Sequence, residues 1–260
     1  MTESLIQMRD VTVDFSGNTA VDNFSLDLRA GERLAILGRT GAGKSTILSL
    51  LVGSTVPTSG HVRVLSHDPY AEHAALQGRV SMAFQAPNLM PWRTALGNVR
   101  IGLDILRRPR DERAASAQRW LERVHLGDAG KKYPNQLSGG MRQRVSLARA
   151  FAIEPEIVFL DESFSALDEV TAKALREDFV DLCEAAQAAS VIVTHSIEEA
   201  FTIAHRVLVL ARPARVIAEY DVREERARAR SMDEIRAEIR NLMDEPDNVA
   251  STASVAGGGS

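Results

Sequence analysis

Hydrophobic and polar residues alternate in two runs near the start of the chain. The first run covers residues 6–15 and ends in a turn at residues 16–18, and the second covers residues 24–28. A period of two is typical of half-buried antiparallel strands. A third run, at residues 34–37, is apolar throughout, which indicates a strand that is buried on both faces. This pattern predicts antiparallel strands followed by a central strand of a parallel sheet.

Farther along the chain, continuous apolar strands alternate with helical patterns. Residues 157–160 and 191–193 are apolar runs, and a helical face separates them. Strands that alternate with helices indicate an α/β fold with a mostly parallel sheet. From about residue 104 to residue 153 the pattern is helical, which predicts a helical lobe inserted in the α/β core.

These patterns also suggest a domain organisation. We expect one main domain over residues 1–222, with the inserted helical subdomain at about residues 90–153. Residues 223–247 are densely charged and include a capping-box pattern at residues 231–234, which predicts a helical extension. The remaining residues, 248–260, have no periodicity and are expected to form a flexible tail.

Composition narrows the class of protein. The 260 residues include 31 Lys and Arg against 35 Asp and Glu, a net charge of −4, with 45% hydrophobic residues. These values are ordinary for globular domains and give no general attraction to nucleic acid. No apolar run approaches the roughly 18–20 residues of a membrane-spanning helix. The single cysteine, Cys183, cannot form an internal disulfide, which fits a reducing cytosol.

A glycine-rich segment follows the central apolar strand and precedes a helical pattern. It fits the form G-x-x-x-x-G-K-S, whose backbone amides can surround phosphate groups. The lysine is expected to reach the terminal phosphates, and the serine hydroxyl is expected to bind Mg²⁺. The predicted nucleotide-binding residues of this segment are Gly38, Arg39, Thr40, Gly41, Ala42, Gly43, Lys44, Ser45 and Thr46.

Two carboxylates end the buried strand at residues 157–160. Carboxylates at this position are costly unless a cation or a reactive water uses them. Asp161 therefore suits the Mg²⁺ shell, and Glu162 suits polarisation of the water that attacks the γ-phosphate.

A third motif, Leu-Ser-Gly-Gly-Met-Arg-Gln at residues 137–143, precedes a helix. A serine cap and two glycines at a helix start are suited to binding an anion. The three motifs, in this order, resemble those of the ATP-binding cassette ATPases, and the resemblance covers about residues 5–222. It implies a P-loop NTPase core with an antiparallel β subdomain and an inserted α-helical subdomain.

The resemblance implies roles for further residues. In the family, two copies associate head to tail, and each ATP lies between the phosphate loop of one copy and the signature motif of the other. The signature residues here are Ser138, Gly139, Gly140 and Gln143.

Single residues also match family positions. Phe15 matches the aromatic that stacks on adenine, although a core phenylalanine is an equal alternative. Gln85 matches the glutamine that senses Mg²⁺ and the attacking water, His195 the histidine that contacts the γ-phosphate, and Asp168 the acid of the loop that crosses the dimer interface.

One residue departs from the family pattern. Ser163 stands where proline usually follows the Asp-Glu pair. Because proline restricts its neighbours and serine does not, we expect a looser backbone at Glu162 and slower turnover.

A longer segment, residues 84–99, resembles a subgroup of importers for nitrate, sulfonates and taurine. Leu89, Met90 and Trp92 could form an apolar groove for a helix of a membrane subunit, or they could pack inside the helical lobe. The resemblance implies an ATPase subunit that uses ATP and Mg²⁺ at the cytoplasmic face of the inner membrane. Its expected partners are a second copy, permease subunits and, indirectly, a solute-binding protein.

Two other functions are alternatives to an importer subunit. One is a soluble ATPase that remodels a cytosolic assembly, and the other is a nucleotide-dependent scaffold with little turnover.

Overall fold

A computed structural model describes residues 4–164 and 167–245. The predicted tail at residues 248–260 lies outside this range, and so do Ser165 and Ala166. The described chain divides into two compact units, which consist of residues 4–29, 34–73 and 193–245, and of residues 30–33, 74–164 and 167–192. The domain boundaries inferred from the sequence stay a prediction.

The strands are, in chain order, β1 (Ser4–Phe15), β2 (Asn18–Arg29), β3 (Arg33–Gly38), β4 (Ser59–Val64), β5 (Val80–Ala83), β6 (Ile157–Asp161), β7 (Ala189–Thr194), β8 (Arg206–Ala211) and β9 (Arg215–Asp221). The helices are α1 (Lys44–Leu51), α2 (Ala95–Ile105), α3 (Arg110–Arg123), α4 (Gly139–Phe151), α5 (Glu169–Ala186), α6 (Ile197–Ile203), α7 (Val222–Ala227) and α8 (Met232–Asp244).

The first unit contains an antiparallel three-stranded sheet in the order β2-β1-β4. The alternating pattern predicted antiparallel strands, and β1 is antiparallel to both β2 and β4; the pairing with β4 was not predicted. Ile6, Met8, Val11 and Val13 are buried on β1. The period shifts by one residue between Met8 and Val11, where the register of β1 against β2 is irregular.

The first unit also contains β3, β8 and β9. The predicted central strand β3 is buried along its apolar run and pairs in parallel with β8, which pairs antiparallel with β9. Apolar residues of β3, β8 and β9 form a core cluster with residues of α6 and α8. The last helix joins this cluster through Ile235 and Ile239, and its N-terminus has the predicted capping box of Ser231 and Glu234.

In the second unit, β5 pairs in parallel with β6, and β7 lies next to β6. Helices α2 to α5 belong to the same unit. The helical pattern from residue 104 did not include the start of α2 at Ala95, where the Thr94 hydroxyl caps the helix by accepting a hydrogen bond from the amide of Gly97. The α/β class, with a mixed sheet, a separate antiparallel sheet and a helical segment, is confirmed. Among the helices of the described residues, none has the length and apolar character needed to cross a membrane.

Candidate functional site: a phosphate loop and a signature helix

The phosphate loop lies between β3 and α1 in the first unit. Gly41 and Gly43 have φ angles of 81° and 85°, a left-handed conformation that favours glycine. A Cβ atom at Gly43 would lie 2.5 Å from the carbonyl oxygen of Ala20 and 2.6 Å from Cβ of Ala214. Only glycine fits there, so the backbone of β2 and the segment before β9 fix the curvature of the loop.

The loop ends at a helix start that is suited to phosphate. No side chain caps α1, and its first turn has no acidic residue, which suits the start of this helix to an anion. Lys44 is 5% exposed, and its Nζ donates to the carbonyl oxygens of Gly38 at 2.8 Å and Arg39 at 3.1 Å. The Ser45 side chain is exposed on the same turn. These groups fit the phosphates of a nucleotide.

Other predicted residues of the first unit lie at the surface. Phe15 is 52% exposed at the end of β1, which excludes the alternative of a core phenylalanine and leaves the ring accessible for stacking. His195 is exposed directly after β7. Arg39, in the phosphate loop, forms an ion pair with Asp244 at the end of α8.

The paired carboxylates lie at the end of β6 in the second unit. Asp161 and Glu162 are both half-buried, and Glu162 has a φ of 41°, which is uncommon for a residue with a side chain. Ser163 is buried, and its hydroxyl lies 3.2 Å from the carbonyl oxygen of Ala83 on β5. The expected looser backbone at Ser163 is therefore opposed by this hydrogen bond, which the sequence did not reveal.

The signature motif forms the start of α4. The Ser138 hydroxyl caps the helix by accepting from the amide of Met141 at 3.2 Å, and the first turn has no acidic residue. A Cβ at Gly139 would make only ordinary contacts, at 3.9 Å or more, whereas a Cβ at Gly140 would lie 2.6 Å from Cγ2 of Thr171 on α5. A helix start without acidic side chains in its first turn suits an anion.

Gln143, Gln85 and Asp168 have different surroundings. Gln143 is buried on α4 and donates to the carbonyl oxygen of Phe84 at 3.4 Å, directly before the exposed Gln85. Asp168 caps α5, and the hydrogen bond from the amide of Thr171 holds the pKa of Asp168 below its usual value. Asp168 thus has a structural role in addition to the one predicted for it.

Within residues 4–164 and 167–245, no group of three or more His, Cys, Asp or Glu side chains is arranged to hold a metal ion. Mg²⁺ typically uses one or two protein oxygens together with substrate phosphates. The Ser45 hydroxyl and the Asp161 carboxylate are oxygen donors of the required kind.

Two further residues organise the segment before α2, and the sequence reasoning missed their roles. The buried Asn98 side chain accepts from the amide of Met90 at 2.7 Å and donates to the carbonyl oxygens of Met90, Arg93 and Thr94 at 3.0–3.2 Å. Arg149 on α4 donates to the carbonyl oxygens of Pro87 and Asn88. Asn98 belongs to the segment at residues 84–99 that resembles importers, but nothing in the sequence indicated that its side chain binds the backbone of that segment.

Comparisons with known proteins point to one family. The sequence pattern described as "ABC transporter" matches residues 21–165. An uncharacterized ABC transporter ATP-binding protein of Methanocaldococcus jannaschii is 39% identical over 236 residues, which cover 88% of this chain and 87% of that protein. The sulfate/thiosulfate import ATP-binding protein CysA of Rhodopseudomonas palustris is 40% identical, and the methionine import ATP-binding protein MetN of Corynebacterium glutamicum is 39% identical. Each match covers 79% of this chain, which spans only 60% of CysA and 59% of MetN.

Solved structures agree with this assignment. A dimeric ATP-binding cassette in a post-hydrolysis state, bound to ADP and Pi, has a TM-score of 0.73 at 30% identity, over 84% of this chain and 98% of that chain. The cbiO1 protein of Clostridium perfringens, part of the ABC transporter complex cbiONQ, has a TM-score of 0.81 at 23% identity, over 92% and 97% of the two chains, and this likeness shows the fold alone. The chain belongs to the ABC transporter family, as an ATP-hydrolysing cassette that uses ATP and Mg²⁺.

Proposed function

We propose that this chain is the ATPase subunit of an importer and drives uptake of a small solute through partner permease subunits. Two copies would associate head to tail at the cytoplasmic face of the inner membrane. The observation that carries the importer assignment is the surface position of Trp92, which is 72% exposed in the segment before α2. Exposure of this size is not consistent with the alternative in which Trp92 packs inside the helical lobe.

The segment around Trp92 is held in place by the hydrogen bonds of Asn98 and Arg149. A large aromatic side chain on an ordered backbone is a favourable anchor for a partner, because little conformational freedom is lost on binding. Leu89 and Met90 are half-buried beside it in sequence and add apolar surface. We propose that this segment binds a short helix of the permease.

We assign roles in ATP binding to individual residues of the two units. Phe15 would stack on adenine, and the loop amides with Lys44 would bind the phosphates. Mg²⁺, when bound, neutralises phosphate charge, and its protein ligands would be Ser45, Gln85 and Asp161. The second copy would present its signature residues and Asp168 to the same nucleotide.

Hydrolysis requires a positioned water. Glu162 would accept a hydrogen bond from this water and take its proton as the water oxygen bonds to the γ-phosphorus. The bond from that phosphorus to the bridging oxygen breaks, and ADP leaves with the electron pair. His195 would donate a hydrogen bond to the γ-phosphate oxygens. Differential binding of ATP to the open and closed dimers would then drive the permease.

The solute class rests on the segment resemblance and on the relatives. Residues 84–99 resemble importers of nitrate, sulfonates and taurine, whereas the relatives are named for sulfate/thiosulfate and methionine import. We favour a small solute such as nitrate, a sulfonate or taurine, delivered by a solute-binding protein. Uptake of labelled solutes by cells with and without the gene would test this class, and uptake of none of these in a gene-dependent manner would contradict it.

Two substitutions test the ATPase roles. Glu162→Gln should bind ATP, lose most turnover and accumulate as an ATP-bound dimer, which gel filtration would detect. Lys44→Ala should lose ATP affinity, because it removes the charge that faces the phosphates. Wild-type turnover in the first variant, or wild-type affinity in the second, would contradict these assignments.

Co-purification with the permease separates the importer from a soluble remodelling ATPase. Trp92→Ala should reduce co-purification with membrane subunits, and Tyr70→Ala, which removes another exposed aromatic in the first unit, should not. Undiminished association of the Trp92 variant would remove the docking assignment. Measurable Mg²⁺-dependent turnover of the parent protein would exclude the scaffold alternative.

A further inference from the structure

The turn after β6 places Glu162 in an unusual backbone conformation. Its φ of 41° is left-handed, and such a conformation persists in a residue with a side chain only when its surroundings enforce it. On one side, Leu160 of β6 is paired with Ala83 of β5. On the other side, the next residue is Ser163, where the family pattern has proline. The restraint on that side must therefore come from something other than a proline ring.

The Ser163 side chain supplies this restraint. It is 3% exposed, and its Oγ lies 3.2 Å from the carbonyl oxygen of Ala83, 3.4 Å from that of Phe84 and 3.4 Å from that of Asp161. A hydroxyl has one proton to donate, so the three carbonyls share it and the shortest distance favours Ala83. The turn is thereby tied to the end of β5, about 80 residues away in the chain.

A side chain of the signature helix α4 also contacts the end of β5. Gln143 on α4 donates to the carbonyl oxygen of Phe84 at 3.4 Å, which is one of the acceptors near Ser163. The end of β5 is thus held by two buried side chains, one from the turn that carries Glu162 and one from α4. A shift of this turn would alter the hydrogen bonding of the backbone directly before Gln85.

We propose that Ser163 is a positioning residue for Glu162: its buried hydroxyl does what proline does elsewhere in the family and fixes the turn that aims the carboxylate. This inference rests on the proposed role of Glu162 in hydrolysis. It reverses the expectation of a loosened backbone, because a hydrogen bond to β5 replaces the ring. Ser163 does not touch the nucleotide in this scheme and acts only through its neighbour.

The test compares Ser163→Ala with Ser163→Pro and with Ser116→Ala. Ser116 is a matched control in the same unit, because its buried hydroxyl donates to the carbonyl oxygen of Ala152 at 3.3 Å, within the helical lobe. We expect Ser163→Ala to lower kcat roughly tenfold and to change the KM for MgATP less than about twofold, since a misplaced base weakens the chemical step and not binding. Ser163→Pro should recover most of the loss, and Ser116→Ala should keep the parent kcat.

Hydrogen–deuterium exchange gives a readout that does not depend on activity. Amides of the turn after β6 should exchange faster in Ser163→Ala than in the parent. Ser163→Pro should restore slow exchange at Glu162 and Phe164, since proline itself has no amide hydrogen. If Ser163→Ala does not fold, Ser163→Cys keeps the shape of the side chain, with a larger atom and a weaker donor, and should show the same changes to a smaller extent.

The double variant separates this inference from the proposed function. Adding Ser163→Ala to Glu162→Gln should cause no further loss of turnover, because the group being positioned is already absent. Parent-like kcat in Ser163→Ala, with an inactive Glu162→Gln, would overturn the inference alone. Parent-like turnover in Glu162→Gln would overturn both the inference and the assignment of Glu162.

Discussion

Asp244, the last residue of α8, forms an ion pair with Arg39 of the phosphate loop. Both side chains are 58% exposed, so solvent screens their attraction, and pairs of this kind typically contribute about 0–1 kcal/mol. The ion pair therefore contributes little to how firmly the helix is held. The attachment of α8 comes from Ile235 and Ile239, which are buried in the core cluster of the first unit.

Substitutions in α8 should separate these two contributions. We expect Ile239→Ala to lower the free energy of unfolding by about 2–4 kcal/mol, because it leaves a cavity in the core. Asp244→Ala should lower the free energy of unfolding by less than about 1 kcal/mol. High salt should abolish the difference between this variant and the parent protein. Urea unfolding followed by circular dichroism would measure both. An equal loss in the two variants would mean that the ion pair contributes more than its exposure implies.

The two glycines of the signature motif should respond differently to alanine. A Cβ at Gly140 would lie 2.6 Å from Cγ2 of Thr171, so we expect Gly140→Ala to destabilise the protein by about 1–3 kcal/mol through overpacking. Gly139 has room, and Gly139→Ala should stay within about 0.5 kcal/mol of the parent.

Thr171→Ser removes the methyl group that Gly140→Ala would meet. The double variant should therefore recover most of the stability lost in Gly140→Ala, as measured by thermal unfolding. Strict additivity of the two substitutions would show that the strain at Gly140 has another source.

Removal of the Asn98 side chain should loosen the segment that carries Trp92. Asn98→Ala leaves a backbone amide and up to three carbonyl oxygens without their side-chain partner, and we expect a loss of about 2–3 kcal/mol. Amide exchange at residues 88–94 should accelerate. Asn135→Ala, at an exposed asparagine of the same unit, is the control and should change neither quantity. Unchanged exchange in the Asn98 variant would show that Arg149 alone orders the segment.

The single cysteine should be inert in the folded protein. Burial raises the pKa of Cys183 from 9.0 to about 12, so almost no reactive thiolate exists at pH 8. We expect slow labelling by a thiol reagent at pH 8 and rapid labelling in urea. Because the folded-state pKa is the higher one, this thiol stabilises the fold fully below about pH 9, and the contribution is lost between about pH 9 and pH 12. Fast labelling without denaturant would contradict the burial of Cys183.

Local patterns were sufficient for much of the fold. Alternation predicted the antiparallel strands that the structure has as β1 and β2, and an uninterrupted apolar run predicted the buried strand β3. The phosphate loop and the capping box at Ser231 were also readable, since each depends on residues close together in the chain. Signals of this kind need no knowledge of tertiary contacts.

Other features depend on contacts between distant parts of the chain. Ser163 donates a hydrogen bond to Ala83, and Arg149 donates one to Pro87. The sequence around Ser163 or Arg149 does not indicate which distant residue is the acceptor. For the same reason, the sequence presented Ser163 as the loss of a proline, whereas the structure shows a gained hydrogen bond. The helical pattern itself was visible only from residue 104, and the start of α2 at Ala95 depends on a cap by the Thr94 hydroxyl.

The ion pair between Arg39 and Asp244 has a practical consequence for labelling the protein. A label attached at Glu245 would follow Asp244, whose carboxylate pairs with Arg39 of the phosphate loop. A small fluorophore at Glu245 would be a local reporter of the loop and should respond when nucleotide is added. A bulky affinity tag at the same place would crowd the loop, so ATP-binding measurements are better made with the tag elsewhere or removed.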